Sequence, residues 1–251
     1  MNLRRAFRVF QRNLTVFSKL YKSSLALNFA EPALYLWALG LGLGAYVKEI
    51  NGMPYINFIA PGMIASSAMF AAVYETTYGT FVRMTYQKTF DAILATPVNI
   101  HDLVAGELMW GAAKSVLYGT IIMLVISAFG LVDSAAVVAA LPLLFVSGLI
   151  FSEISMVFVA IVPGIDSFNY FYTLFMTPMF LFSGIFFPLD NLPPLVAKIA
   201  FFTPLYHMVN VCRSFAQGHI AAVWQDILWL LIVAAILAPY PFRLMKKRIV
   251  K

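Results

Sequence analysis

Apolar residues gather into six blocks along the chain, near Asn28–Val47, Ile56–Val82, Leu103–Leu131, Ala135–Val162, Phe168–Pro188 and Val223–Tyr240. A helix needs roughly 20 mostly apolar residues to cross the hydrocarbon core of a bilayer. The pattern therefore predicts an all-α integral membrane protein with six transmembrane helices. Ahead of the first block the periodicity changes. Leu3, Phe7, Phe10, Leu14, Phe17 and Tyr21 recur at alternating steps of four and three, with arginines and lysines off that face. Residues 1–25 thus read as an amphipathic helix lying in the headgroup layer, where it could also dock a partner.

The polar breaks differ in character. Residues 48–55 and 132–134 are short turns, and Pro163-Gly164-Ile165-Asp166-Ser167 is a tight one. The stretch QKTFDAILATPVNIHDLVAGE, residues 87–107, is too polar for a bilayer to hold readily. Arg83 to Ala95 can continue the second span helically. Thr96 precedes Pro97, and a residue before proline is pushed out of the α region, so a break falls there. Asn99 suits an N-cap, and Asp102 suits the first turn of a helix that runs on into the third span. The product is a helix–elbow–helix with Ile93, Leu94 and Val98 near its bend. The connection 189–222 is cut by Pro188, Pro193, Pro194 and Pro204, while Leu195–Phe202 between them is apolar. A re-entrant or interfacial helix pair fits it better than a soluble loop.

Composition narrows the class. Only 11% of residues are charged and 62% are hydrophobic, against about a quarter charged in soluble domains. The net charge of +6 does not point to nucleic acid, because the basic residues cluster at the two ends. Arg4, Arg5, Arg8, Arg12, Lys19 and Lys22 open the chain, and Arg243, Lys246, Lys247, Arg248 and Lys251 close it. By the positive-inside rule both termini are expected in the cytoplasm, which makes the span number even. Lys48, Lys198 and Arg213 then fall outside, with Lys114 inside the third span. The first 25 residues lack a continuous apolar core, so no cleavable signal peptide is expected. Cys212, the single cysteine, sits among apolar residues and reads as a small hydrophobe.

Several motifs match by letters alone. Gly40-Leu-Gly-Leu-Gly-Ala45 imitates a dinucleotide loop but lies inside the first span with no strand before it, so Gly40 and Gly44 read as a packing face for another helix. No G-x-x-x-x-G-K-[ST] loop is present. Ser183 with His207 would be the nucleophile and base of an intramembrane protease, yet residue 181 is leucine where such a turn wants glycine. His101, His207 and His219 are too scattered to form a metal set. The intramembrane charges carry more weight, because such residues are costly and usually functional. Glu75, Lys114 and Glu153 all fall at one depth in the cytoplasmic half. An ion pair fixing helix packing, a gating or substrate contact, and a proton relay all remain open for them. Glu31 before Pro32 suits the start of a helix at the inner interface. The fifth block is aromatic on every face and offers a stacking surface for sugar rings.

FDAILATPVNIHDLVAGELMWG resembles the signature of type-2 ABC-transporter permeases. Ala60-Pro61-Gly62-Met63, Phe182-Ser-Gly-Ile-Phe-Phe-Pro188, and Leu192-Pro193 with Pro204-Leu205 and Arg213 extend the likeness over the whole chain. The length and the Tyr35–Val47 stretch look closest to the NodJ-like branch, which is associated with lipo-oligosaccharide export. The resemblance implies one permease domain over residues 1–251, with a connecting helix (1–25), a coupling elbow (83–105) and an outer gate region (189–222). It implies a homodimer in the bacterial inner membrane, carrying two copies of an ABC ATP-binding subunit and surrounded by membrane lipids. ATP and magnesium would be held by that subunit, and this chain would bind no cofactor and catalyse nothing itself. Coupling would fall to Phe90, Asp91, Leu94, Thr96, Pro97 and Glu107. The translocation path would be lined by spans two and five, with Tyr74, Tyr78, Tyr172, Phe175 and Phe182 as its candidates. Pro188, Pro193 and Pro204 would shape the outer gate. Export of a drug or another lipid is the alternative within the family. An ion-coupled secondary transporter using Glu75 and Glu153 is the alternative outside it.

Overall fold

The computed structural model describes residues 1–47, 49, 50 and 52–249, and their side chains except at Leu20, residues 22–33 and Asn191. The amphipathic opening and the first apolar block form a single helix, α1 (Leu3–Trp37), extended by a π turn at Ala38–Gly42 and a tighter turn to Ala45. This corrects the expectation of a helix start at Glu31-Pro32: the helical backbone passes straight through, as membrane helices often tolerate proline. The side chain of Glu31 lies outside the described residues, and so does Lys48. A two-residue hairpin, β1 (Glu49–Ile50) with β2 (Met53–Pro54), leads into α2 (Tyr55–Tyr74).

The helix of α2 continues through π turns at Glu75–Gly79 and Val82–Tyr86 and stops there. The expected continuation to Ala95 is therefore broken more than two turns early. Lys88 adopts a left-handed conformation (φ 53°), and the short α3 (Thr89–Leu94) follows it at a new angle. Neither glycine nor proline marks this break in the sequence. Lys88 is exposed, and a left-handed non-glycine residue carries a steric penalty. Lys88→Gly is therefore expected to stabilise the protein by roughly 0.5–1 kcal/mol, after allowing for glycine's larger chain entropy. A lower unfolding temperature in detergent would contradict that assignment.

The second break falls where Thr96-Pro97 predicts it, and α4 (Ile100–Ala128) begins with Asn99 as its cap. Then come α5 (Leu141–Ile161), entered through a 3-10 turn at Ala135–Ala140, and a shorter run made of α6 (Phe168–Phe171), a π turn and α7 (Thr177–Leu181). The connection 189–222 holds α8 (Pro194–Phe201) and α9 (Pro204–Ala216), bent 84° apart, as the proline pattern predicts. The chain closes with α10 (Trp224–Leu237) and α11 (Pro239–Ile249).

Four stretches among the described residues are long and apolar enough to cross a membrane: Tyr55–Tyr86, Ile100–Ala128, Ala135–Ile161 and Ile220–Ile249, with the bent α8–α9 pair a potential fifth. The second, third, fourth and sixth expected spans are thus found close to their expected bounds. The first expected span falls on the end of α1 and the shorter apolar stretch Leu34–Ala45, and the fifth on the interrupted run from α6 to α7; neither is among these four. The protein is an all-α integral membrane protein.

The helix α4 is the central element, packed on α1, α2 and α5. Two glycines let it approach closely. A Cβ at Gly106 would lie 2.7 Å from the Ala6 carbonyl oxygen of α1, and one at Gly148 of α5 would lie 2.9 Å from the Ala112 Cα of α4. Gly40 likewise rests on Ile56, as the small-residue reading of that segment requires. One apolar core runs through α2, α5 and α9, including Met69, Phe151 and Met208. A second lies at the elbow end and gathers Phe81, Phe90, Leu103, Val104, Phe168 and Met245.

Candidate functional site

The elbow is braced from three sides. Asn99 caps α4 by accepting the Asp102 backbone N–H (2.9 Å), and Asp102 returns the bond to the Asn99 backbone, completing a capping box. Asp102 is fully buried, and its other oxygen accepts the backbone N–H of Asn2 (2.6 Å), tying the start of α1 to the elbow. Thr96 donates its hydroxyl to the Ile93 carbonyl (2.6 Å) and so closes the turn before Pro97. Of the residues assigned to coupling, Phe90 is 1% exposed and anchors the elbow in the second core. Asp91, Thr96 and Pro97 are exposed, and Leu94 is half-buried. A groove of about 500 Å³ separates the elbow from α1, lined by Arg8 and Arg12 on one side and Ala92, Ile93 and Thr96 on the other.

Glu107 stands elsewhere. At 1% exposure it lies deeper, on the face of α4 that meets α1 and α2. It accepts bonds from Asn13 Nδ2 (2.7 Å), Thr80 Oγ1 (3.2 Å) and Arg83 Nε (3.1 Å). Arg83 bridges onward to Glu75 (2.7 Å), and Lys114 reaches the other oxygen of Glu75 (3.4 Å) while sitting 4.0 Å over the Phe17 ring. Of the readings open for the intramembrane charges, an ion pair is present between Glu75 and Lys114. Glu153 is not in it. One of its oxygens is buried without a hydrogen-bond partner, and it makes no ion pair among the described residues. Depth along a helix places a charge in a layer of the membrane, whereas its partner is set by which way it faces. Burial lowers the Arg12 pKa from its ordinary value, the nearby Arg83 charge adds to this, and Glu107 opposes it.

Beyond the charge network lies a stack of tyrosines. The rings of Tyr74 and Tyr172 are 4.8 Å apart and nearly parallel, and Tyr78 stacks on both at 6.3 and 5.7 Å. They line a cavity of about 250 Å³ with Tyr35, Phe70, Asn169 and Phe180 among its other walls. Phe175 and Phe182 do not line it. Both are exposed, Phe175 stacking on Phe171 and Phe182 meeting Phe187 edge-on.

At the opposite end, Arg213 of α9 donates to the carbonyls of Phe58 (3.3 Å) and Gly184 (2.8 Å) and lies 3.9 Å over the Phe58 ring. It thereby ties the bent helix pair to the start of α2 and to the Phe182–Pro188 turn, where Gly184 holds a positive φ of 80°. Pro193 precedes α8 and Pro204 opens α9, while Pro188 precedes a single 3-10 turn. His207 has Nδ1 2.6 Å from Asp226 and Nε2 2.7 Å from the Phe201 carbonyl, and stacks on Trp229. Ser183 donates to the Phe180 carbonyl instead, so the serine–histidine pair of a protease is not assembled. Sequence reading missed Asn13, Asp102 as the clamp on the N-terminus, and the Arg83–Glu107 link. Asn13 and Arg83 carry no signal of partnership until α1 is laid across Gly106.

A helical membrane domain with a braced elbow, a buried charge network and a bent far-end helix pair suits a transport permease. Residues 5–216 match the ABC-2 type transporter family, and the chain belongs to it. It is 40% identical over 205 residues to Nodulation protein J of Sinorhizobium fredii, covering 82% of this chain and 78% of that one. It is 41% identical over 210 residues to Nodulation protein J of Rhizobium leguminosarum bv. viciae, covering 84% and 81%. The inner membrane transport permease YadH of Escherichia coli is 22% identical over 205 residues, covering 82% and 80%. Permeases of this family work with ATP-binding subunits.

Proposed function

We propose that this chain is the transmembrane subunit of an ATP-driven exporter that moves an amphipathic glycolipid, of the lipo-oligosaccharide kind, out across a bacterial inner membrane. It works as a homodimer with two copies of an ATP-binding subunit, which hold the ATP and magnesium. Both termini face the cytoplasm, and six crossings are completed by the end of α1 and by the α6–α7 run. The observation that carries the reading is the elbow. In a sequence without a phosphate-binding loop, a rigidly braced elbow shares a groove with α1, and both surfaces suit a partner that pushes on them. The substrate follows from the resemblance to the NodJ-like branch and from the tyrosine stack, whose parallel faces suit sugar rings. The bent α8–α9 pair, with Pro188, Pro193 and Pro204 at its joints, would then form the outer gate.

The test is reconstitution in proteoliposomes with and without the ATP-binding subunit. ATP-dependent movement of a fluorescent lipo-oligosaccharide is expected only with both chains present. ATP turnover by this chain purified free of partners, or movement without the second subunit, would overturn the reading. An ion-coupled carrier has less support, since Glu75 is held by Arg83 and Lys114.

A further inference from the structure

A second cavity, of about 370 Å³, lies where α1 crosses α2 and α4. Its charged walls are Arg12, Arg83, Lys114 and Glu75, so three cations face one carboxylate. Glu107 stands behind Arg83, and even with it the group holds one positive charge in excess. The excess is carried by Arg12, since Arg83 and Lys114 are set against Glu75 and Glu107. Arg12 makes no ion pair among the described residues, and Lys114 holds Glu75 only at 3.4 Å and otherwise rests on the Phe17 ring. Arg12 is half-buried and bonded through Nη1 to Asn13 Oδ1 (2.9 Å), so its charge stays open to an anion entering the cavity. The remaining walls mix the aromatic Phe17 and Trp110 and the apolar Val16 and Val82 with the polar Asn13 and Gln87. Tyr78 lines both this cavity and the tyrosine cavity beyond it, so the two spaces meet at its ring.

We infer that this junction binds an anionic amphiphile: a phosphate, sulfate or carboxylate headgroup against Arg12 and Lys114, with its adjoining polar body laid along Tyr78. The basic, amphipathic start of α1 suits the headgroup layer, where a lipid in the leaflet would meet the mouth. The inference rests on the export reading only for the onward movement of the ligand into the tyrosine cavity. Binding itself is a property of this chain alone.

Trp110 in the wall provides the readout. The chain in neutral detergent would be titrated with short-chain phosphatidic acid, short-chain phosphatidylcholine and inorganic phosphate, with Trp110→Phe supplying the background from the other tryptophans. A saturable Trp110 signal with phosphatidic acid and none with phosphatidylcholine is the expected result. Arg12→Gln should weaken it about tenfold, as loss of one charge-assisted contact does, and Arg12→Lys should restore most of it. Unfolding temperatures of both variants separate loss of binding from loss of fold, and Lys114→Gln provides an independent second test. Binding of phosphatidic acid without inorganic phosphate assigns the site to a lipid headgroup. Equal binding of both assigns the same cations to a free anion. An equal response to phosphatidylcholine, or no response to any probe, overturns the inference. Since the assay holds no ATP-binding subunit, either result leaves the export reading to its own test.

Discussion

Removing either Arg83 or Glu107 alone is expected to destabilise the protein far more than half as much as removing both. In the native network Arg83, Lys114, Glu75 and Glu107 balance, with Arg12 as the one cation over. Glu107→Gln leaves three cations against one carboxylate. Arg83→Met leaves Glu107 with only Asn13 and Thr80 to hold it. Breaking one side of a buried pair costs about 3–5 kcal/mol, because the survivor is left uncompensated. The double variant restores the native balance, since Glu75 and Lys114 still hold each other. It should lose about 2 kcal/mol less than the sum of the single losses. Unfolding in detergent measures all three, and strictly additive losses would show that the network does not act as a unit.

The second large effect is expected at the elbow and concerns coupling. Asp91 is exposed and Leu94 half-buried against the second core, while Phe90 and the Asn99–Asp102 box hold the elbow from beneath. Asp91→Arg therefore alters what the elbow presents without touching what braces it, whereas Leu94→Asp also loosens its packing on the second core. If the elbow receives the motion of the ATP-binding subunit, Asp91→Arg will keep its unfolding temperature and Leu94→Asp will lower it. They will lose export, and ATP hydrolysis by the assembled complex will no longer respond to substrate. Full export with the partner retained would remove the coupling role from these two residues.

The elbow and the charge network differ in how far the sequence alone reveals them. The Thr96-Pro97 break and the Asn99–Asp102 cap are local chemistry, settled within a few residues, and both stand where the sequence puts them. The second, third and fourth spans are long continuous apolar runs and keep their expected bounds within a few residues. The Glu75–Lys114 pair was legible from depth, but Glu153 at a similar depth faces elsewhere. Facing depends on how far each helix is wound. Two π turns before Tyr86 rewind the end of the α2 span and bring Arg83 under α4. The left-handed Lys88 has no sequence mark because any residue can be held there if its surroundings demand it. Glu107, grouped with the elbow by its place in the motif, instead joins Asn13 of α1 to Arg83 because Gly106 admits α1 so closely. No spacing in the sequence encodes a contact across 94 residues.

The unbroken length of α1 has a mechanical meaning. Its first third is clamped to α4 at Asn2, Ala6, Val9 and Asn13, and nothing interrupts the helix between there and Trp37. The portion beyond the clamp is about 36 Å long at 1.5 Å per residue, so a tilt of about five degrees at the clamp swings its tip by about 3 Å. Near that tip Tyr35 meets Phe180 and forms part of the tyrosine cavity. Under the proposed coupling role the clamp would act as a fulcrum and α1 as a lever arm. A small stroke delivered beside the elbow would then reach the wall of the cavity along one continuous helix, with no loop in between to absorb it.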